Sequence, residues 1–139
     1  DEATSALDVS VQAQIISLLK KLKQEKGMSS FFITHDLTLA SVMCDRLAVM
    51  YRGKIVEYGD TKEIVSSPNH PYTQLLMQSV LPAKIDKDFT IADYESLREP
   101  HTGGCHFYEY CPKACEQCKT AIPELNMCNN REVACFLTK

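Results

Sequence analysis

The sequence predicts an α/β fold in which helices flank a parallel β-sheet. Apolar residues recur at helical spacing between residues 9 and 26. A short apolar run at residues 30–34 follows, and such a run is typical of a strand that is buried on both faces. A second helical pattern starts directly after this run. A buried strand between two helices indicates a strand–helix–strand unit, whose strands pair in parallel.

The helices at the start of the chain carry recognisable end signals. Asp8 is a good N-cap for the first helix, and Gly27 follows its last residue, Lys26. The apolar positions of this helix are Val11, Ile15, Leu18, Leu19 and Leu22. Asp36 can cap the second helix, which follows the predicted strand.

The next part of the chain predicts a hairpin and two short helices. Residues 46–51 and 54–58 are strand-like, and Arg52-Gly53 between them suits a tight turn. Residues 60–63, Asp-Thr-Lys-Glu, have the form of a capping box and start a short helix. A breaker segment at residues 67–71 precedes a helix over 72–80. Residues 82–100 are polar and are expected to be a linker.

Charge and hydropathy exclude two classes of protein. The formal net charge of −3 argues against a nucleic-acid partner that is held through its phosphates. No apolar run approaches the roughly 20 residues that a membrane-spanning helix needs. Six of the seven cysteines fall between Cys105 and Cys135. Without a secretory signal, such a cluster suggests metal binding more than disulfides.

The first eight residues suggest a site for phosphoryl transfer. Asp1 and Glu2 are adjacent, and Asp8 follows a turn of small residues. Such sites use one carboxylate to hold Mg²⁺ and a neighbouring group to orient or deprotonate the attacking water. His35 follows the predicted strand, at the edge where open α/β sheets bind ligands. An isolated acidic pair is more often solvated surface, so this interpretation depends on the rest of the chain.

Several segments together resemble the ATPase subunits of ABC transporters. Residues 1–8 resemble the end of the Walker B motif and the D-loop, and residues 34–36 resemble the switch histidine. Residues 52–59 look like the hairpin that follows it. Residues 67–76, Ser-Pro-Asn-His-Pro-Tyr-Thr-Gln-Leu-Leu, are similar to the segment that marks the dipeptide and oligopeptide importers. Residues 104–135 resemble the cysteine-bearing extension of that group.

The resemblance implies roles for four residues. Asp1 would support Mg²⁺ of MgATP, and Glu2 would be the general base that polarises the attacking water. His35 would contact the γ-phosphate and hold that water in place. Asp8 would lie in the D-loop, where it contacts the partner ATPase subunit, and it could cap the helix at the same time.

The resemblance also implies a domain organisation. Residues 1–60 would be the C-terminal part of the parallel-sheet ABC ATPase domain, a P-loop NTPase. Residues 61–100 would form a helical segment and linker, and residues 101–139 a small cysteine-rich, metal-binding extension. The sequence contains no Walker A loop, glutamine loop or signature motif, which precede the Walker B strand in the family. We therefore expect a C-terminal portion of a longer subunit, inactive on its own.

Four cysteines match the pattern of the extension: Cys105, Cys111, Cys118 and Cys135. Four thiolates suit a [4Fe–4S] cluster or a tetrahedral zinc ion. Some members of the family carry the cluster, which makes it the expected cofactor, with zinc and a metal-free tail as alternatives. Cys115 and Cys128 are extra to the pattern. Cys115 and Cys118 form a Cys-x-x-Cys pair, which alone would suggest zinc.

The function that the resemblance implies is uptake of di- or oligopeptides driven by hydrolysis of MgATP. The subunit would pair with a second ATPase subunit beneath two membrane-spanning permease subunits, on the cytoplasmic face of the cell membrane. A peptide-binding protein would act with it indirectly. Two alternatives stay open: a non-catalytic metal-binding or regulatory module on an ABC-like scaffold, and import of nickel or another small solute. The presence of Glu2 and His35 favours the ATPase, because degenerate subunits typically lose one or both.

Overall fold

The computed structural model describes residues 8–80 and 103–138. The chain divides into two compact units, Asp1–Cys44 and Asp45–Lys139. The predicted linker at residues 82–100 lies outside the described residues. No helix in the described ranges combines the length and the apolar character needed to cross a membrane.

The first unit contributes two helices, α1 (Val9–Lys26) and α2 (Leu37–Met43). Both begin at the predicted caps, because the side chains of Asp8 and Asp36 accept hydrogen bonds from backbone N–H groups of the first turn. Helix α1 ends at Gly27, whose φ of 60° is the left-handed conformation that glycine adopts without steric cost. The sequence signals for both helices are therefore confirmed.

The predicted strand at residues 30–34 is wrong, since this segment has no regular secondary structure. Phe31 is 90% exposed and Ile33 is 47% exposed, so the run is not buried on both faces. A strand satisfies its backbone groups by pairing with a neighbouring strand. The described part of the first unit contains helices but no strand, which leaves the run without a pairing partner there. The parallel sheet is therefore absent from the described residues.

The second unit is built on a four-stranded antiparallel sheet. The hairpin that the sequence predicts forms from β1 (Arg46–Tyr51) and β2 (Lys54–Asp60). Arg52 and Gly53 between them have φ angles of 45° and 77°. Two consecutive positive φ angles match the right-handed twist of hairpin strands, which makes this a favoured two-residue turn.

The described part of the cysteine-rich extension, residues 103–138, is called the tail. It adds two strands to this hairpin, which were not predicted from the sequence. Strand β3 (Asn126–Cys128) pairs with β4 (Arg131–Val133), and β4 pairs with β2, so that the strand order is β1-β2-β4-β3. A side chain at Gly59 of β2 would place its Cβ 2.7 Å from the Cβ of Arg131. Glycine at position 59 therefore permits the close approach of the tail to the hairpin.

Short helices complete the second unit. Helix α3 (Thr61–Ser66) begins at Asp60, whose carboxylate accepts hydrogen bonds from the N–H groups of Lys62 and Glu63. Helix α4 (Pro71–Val80) follows the breaker segment. These two helices confirm the prediction. The tail contains a 3₁₀ turn over Tyr108–Tyr110 and helix α5 (Glu116–Thr120).

An aromatic cluster around Phe107 packs the tail against the hairpin. Phe107 is 3% exposed, and its ring centroid lies 5.3 Å from that of Tyr51 and 5.5 Å from that of Tyr72. Tyr51 ends β1, and Tyr72 lies in the first turn of α4. The tail is therefore part of the core of this unit, because ring pairs at these distances add to the stabilisation from burial.

We expect Phe107→Ala to lower the free energy of unfolding of the second unit by about 3–5 kcal/mol, since it leaves a cavity in the core. The six tyrosines, which lie between positions 51 and 110, report on this unit by near-ultraviolet circular dichroism during urea unfolding. Phe31→Ala removes the same ring from an exposed position and should change the transition by less than about 0.5 kcal/mol. Equal effects of the two substitutions would contradict the burial of Phe107.

Candidate functional site

The predicted phosphate-binding residues are only partly covered by the structure. Asp1 and Glu2 lie outside the described residues, so their placement beside His35 stays a prediction. His35 is exposed, just before the N-cap of α2. Asp8 is exposed, and the hydrogen bond from the Ser10 hydroxyl, 2.7 Å long, is the main cause that lowers its pKa. Its capping role is observed, whereas its role in a subunit contact stays a prediction.

A buried carboxylate organises the second unit. Glu57 on β2 is 0% exposed. Its Oε1 accepts a hydrogen bond from the N–H of Asn69, and its Oε2 accepts one from the N–H of His70, both at 2.9 Å. A buried charge requires such partners. The carboxylate thereby holds the start of residues 70–72, the His-Pro-Tyr segment, against the sheet.

Arg131 on β4 supplies the opposite charge. Its Nη1 lies 3.2 Å from Oε1 of Glu57, and the residue is 7% exposed. The same nitrogen donates to the backbone oxygens of Glu63 at 3.3 Å and Ser67 at 2.6 Å. One guanidinium thus connects the tail strand to the central strand and to the end of α3.

His70 is buried and directly precedes the first residue of α4. Its Nδ1 accepts a hydrogen bond from the N–H of Tyr72 at 3.0 Å, and its backbone oxygen accepts one from the N–H of Gln74. Pro71 suits the first helical position, where no N–H is needed. Burial lowers the pKa of His70 to about 4, which makes the ring neutral near pH 7. Because Nδ1 is an acceptor, Nε2 carries the ring proton.

The four predicted cysteine ligands line one small cavity, whose volume is about 10 Å³. Cys111 and Cys118 are buried, whereas Cys105 and Cys135 are half-buried. His70 and Phe107 line the same cavity, which therefore lies beside the aromatic cluster. The backbone N–H of Cys105 donates to the oxygen of Cys118 at 2.8 Å and holds these two segments together.

Three of the cavity thiols favour the neutral form when no cation is bound. Burial raises the pKa of Cys105 and Cys135, and it raises the pKa of Cys118 to about 11. Metals bind the thiolate form, so binding here would release protons. Within residues 8–80 and 103–138, no group of three or more histidine, cysteine or acidic side chains is placed to hold a metal ion. The four thiols therefore share a cavity without converging on one point.

The two extra cysteines have different surroundings. The Sγ of Cys128 lies 3.8 Å from Nδ2 of Asn69, and Cys128 does not line the cysteine cavity. The Sγ of Cys115 lies 3.3 Å from the Sγ of Cys118. The hydrogen bond from the Cys118 side chain is the main cause that lowers the pKa of Cys115. Cys115 thus contacts the predicted ligand Cys118, whereas Cys128 contacts Asn69 outside the cavity.

Sequence reasoning missed Glu57 and Arg131 as organising residues. A glutamate within a hairpin strand resembles an ordinary solvent-facing position, since antiparallel strands often alternate buried and exposed residues. Its partner lies 74 residues later along the chain, in a strand that was not predicted. The sequence carries no signal for this role, because the departure from alternation, with Val56 and Glu57 both buried, is visible only in the structure.

Known proteins match this chain over nearly its whole length. A family model described as "Oligopeptide/dipeptide transporter, C-terminal region" matches residues 56–118. A protein of Brucella abortus (strain 2308), named as a peptide import ATP-binding protein, is 43% identical over 140 residues, which cover 99% of this chain and 41% of the relative. A Brucella melitensis (biotype 1) protein with the same kind of name is also 43% identical, covering 99% of this chain and 37% of the relative.

These matches define the class of protein. A Brucella ovis relative, again named for ATP binding in peptide import, is 38% identical and covers 90% of this chain and 40% of its own length. The chain spans about two fifths of the length of these curated relatives. The chain belongs to the family of ABC peptide-transporter ATPase subunits, of which it is a C-terminal portion.

We expect the second unit to lose stability as the pH falls from 6.5 to 4. The unfolded chain takes up a proton at His70 near pH 6.5, whereas the folded chain takes it up only near pH 4. Lowering the pH from 6.5 to 4 therefore lowers the free energy of unfolding by about 3 kcal/mol. His70→Asn keeps an acceptor for the Tyr72 N–H but does not titrate. In urea unfolding of the reduced, metal-free chain, the free energy of unfolding should depend less on pH for this variant than for the unmodified chain. The same pH dependence in both chains would contradict the lowered pKa of His70.

Proposed function

We propose that the intact subunit containing this chain binds and hydrolyses MgATP to energise the uptake of di- or oligopeptides. The observation that carries this proposal is the 43% identity over 99% of the chain to relatives named for ATP binding in peptide import. The subunit would act with a second ATPase subunit and two membrane-spanning permease subunits, at the cytoplasmic face of the membrane. A peptide-binding protein would deliver the solute.

In this proposal the residues near the start of the chain perform the chemistry. Asp1 holds Mg²⁺ through its coordinated water, and Glu2 polarises the water that attacks the γ-phosphate. His35 donates a hydrogen bond to the γ-phosphate and positions the same water. His35 is exposed and directly precedes the N-cap of α2. Asp8 caps α1 at the surface, where it can also contact the partner subunit.

The ATPase proposal predicts different behaviour for the chain and for the intact subunit. The 139-residue chain lacks the Walker A loop that cradles the phosphates, so we expect no ATP turnover from it. In the intact subunit, assembled with its partners, Glu2→Gln should abolish turnover and retain bound ATP, because the amide cannot accept a proton.

The matched control is Glu25→Gln, which makes the same change at an exposed position of α1. This variant should hydrolyse ATP at the rate of the unmodified subunit. Wild-type turnover by Glu2→Gln would refute the general-base assignment, and turnover by the isolated chain would refute its inactivity. A subunit that binds no ATP in any form would favour the alternative of a non-catalytic module.

We further propose that the extension holds a [4Fe–4S] cluster on Cys105, Cys111, Cys118 and Cys135. Support comes from the donor chemistry, since all four thiols line one cavity and Cys111 and Cys118 are buried. A single zinc ion needs four sulfurs at about 2.3 Å from one point. A [4Fe–4S] cluster instead binds one thiolate at each of its four irons. The cluster would serve as a structural element.

We expect about four irons and four sulfides per chain after anaerobic reconstitution with iron and sulfide. Cys111→Ser should lose most of this iron together with the visible absorbance, because serine is a poor ligand for iron. Cys128→Ser is the control, since Cys128 is equally buried but lies outside the cavity. One zinc and no iron would establish the alternative cofactor. Equal iron in the two variants would refute the ligand assignment.

A further inference from the structure

Cys115 differs from the four cavity cysteines because it does not line the cavity. It is half-buried, whereas its neighbour Cys118 is 6% exposed and lines the cavity. Cys115 is the N-cap residue of α5, and Cys118 is in the first turn of that helix. This spacing of three residues places both side chains on the same turn.

The two sulfurs are close enough to react with each other. Their separation is 3.3 Å, and the N–H of Cys115 also points at the Cys118 sulfur, at 3.5 Å. A disulfide has an S–S distance of about 2.05 Å, so the sulfurs have to approach by roughly 1.3 Å. Rotation of the two side chains within one helical turn can supply such a movement without a change in the fold.

We propose that Cys115 and Cys118 form an oxidisable dithiol, which a hydroperoxide converts into a disulfide. The thiolate of Cys115, the sulfur outside the cavity, attacks one oxygen of hydrogen peroxide. The O–O bond breaks and a Cys115 sulfenic acid forms. The other oxygen leaves as hydroxide, which takes up the proton that the Cys115 thiol had lost and becomes one molecule of water. The Cys118 sulfur then attacks the sulfenic sulfur and forms the S–S bond. The S–O bond breaks, and the oxygen leaves as a second water with the Cys118 proton. The two thiols lose two electrons, and the peroxide gains them.

The oxidation has a consequence for the cysteine cavity. Cys118 cannot be a disulfide sulfur and a thiolate ligand at the same time, so the oxidised chain has one ligand fewer. This consequence rests on the proposed cluster, whereas the dithiol itself does not. A chain with a bound cluster should therefore resist formation of the disulfide, and a chain that has lost its cluster should form it.

The test is the oxidation of the full 139-residue chain, reduced and freed of metal by a chelator. After one equivalent of hydrogen peroxide, free thiols are alkylated and the chain is digested with trypsin. Cleavage after Lys113 and Lys119 releases residues 114–119, which contain both cysteines of the pair. We expect this peptide to lose both alkylation sites and to be lighter by two hydrogens than the reduced peptide.

The other cysteines lie outside residues 114–119, so a pairing of Cys115 or Cys118 with any of them would appear as two cross-linked tryptic peptides. Cys118→Ser should leave a sulfenic acid on Cys115 that dimedone labels, and Cys115→Ser should leave Cys118 open to alkylation. Cys128→Ser should behave like the unmodified chain. Full alkylation of residues 114–119 after peroxide, or a dominant pairing of Cys118 with Cys105 or Cys135, would overturn the proposal.

The same digestion separates this proposal from that of the cluster. In a chain reconstituted with iron and sulfide, the 114–119 disulfide should be suppressed at least tenfold. If no iron binds but the disulfide forms in the metal-free chain, the cluster proposal fails and the dithiol stands. If iron binds but the metal-free chain forms no disulfide, the dithiol fails and the cluster stands.

Discussion

The carboxylate of Glu57 is the interaction on which the second unit depends. It is fully buried, so it must be compensated by partners on every side. Those partners come from the N–H groups that start the His-Pro-Tyr segment and from the guanidinium of Arg131. A buried ion pair adds little net stability compared with apolar residues, but the loss of one partner costs about 3–5 kcal/mol. The main effect of the pair is therefore to fix the hairpin, the start of helix α4 and the tail relative to one another.

This arrangement gives the cysteine tail its place. The aromatic ring of Phe107, the imidazole of His70 and the four thiols surround the same cavity, and His70 is held by Glu57. The tail is thus joined to the hairpin by backbone pairing, by charge and by ring packing. The proposed oxidation at Cys115 would act at one edge of this framework.

Local signals in the sequence predicted the local structure. Asp8, Asp36 and Asp60 cap the helices that they were expected to cap, and Arg52-Gly53 makes the expected turn. Strand pairing and the buried ion pair were not predicted, because they depend on residues far apart in the sequence whose contacts are seen only in the fold. The apolar run at residues 30–34 was assigned to a strand, although pairing decides whether a strand forms. Strands β3 and β4 are three residues long, too short for a periodic pattern to be visible. The four cysteines were predicted from their pattern, and their role as ligands stays a prediction, whereas Glu57 and Arg131 could be recognised only from the fold.

Amide hydrogen exchange in Arg131→Met tests most directly whether the ion pair unites these elements. We expect the amides of Asn69, His70 and Val133 to exchange together, about a hundredfold faster than in the unmodified chain, since a loss of roughly 3 kcal/mol corresponds to that factor. Lys62→Met removes a positive charge from an exposed position and should leave these amides protected. Faster exchange at Val133 alone, with Asn69 and His70 unchanged, would contradict the claim that Glu57 and Arg131 hold the segment and the tail as one structure.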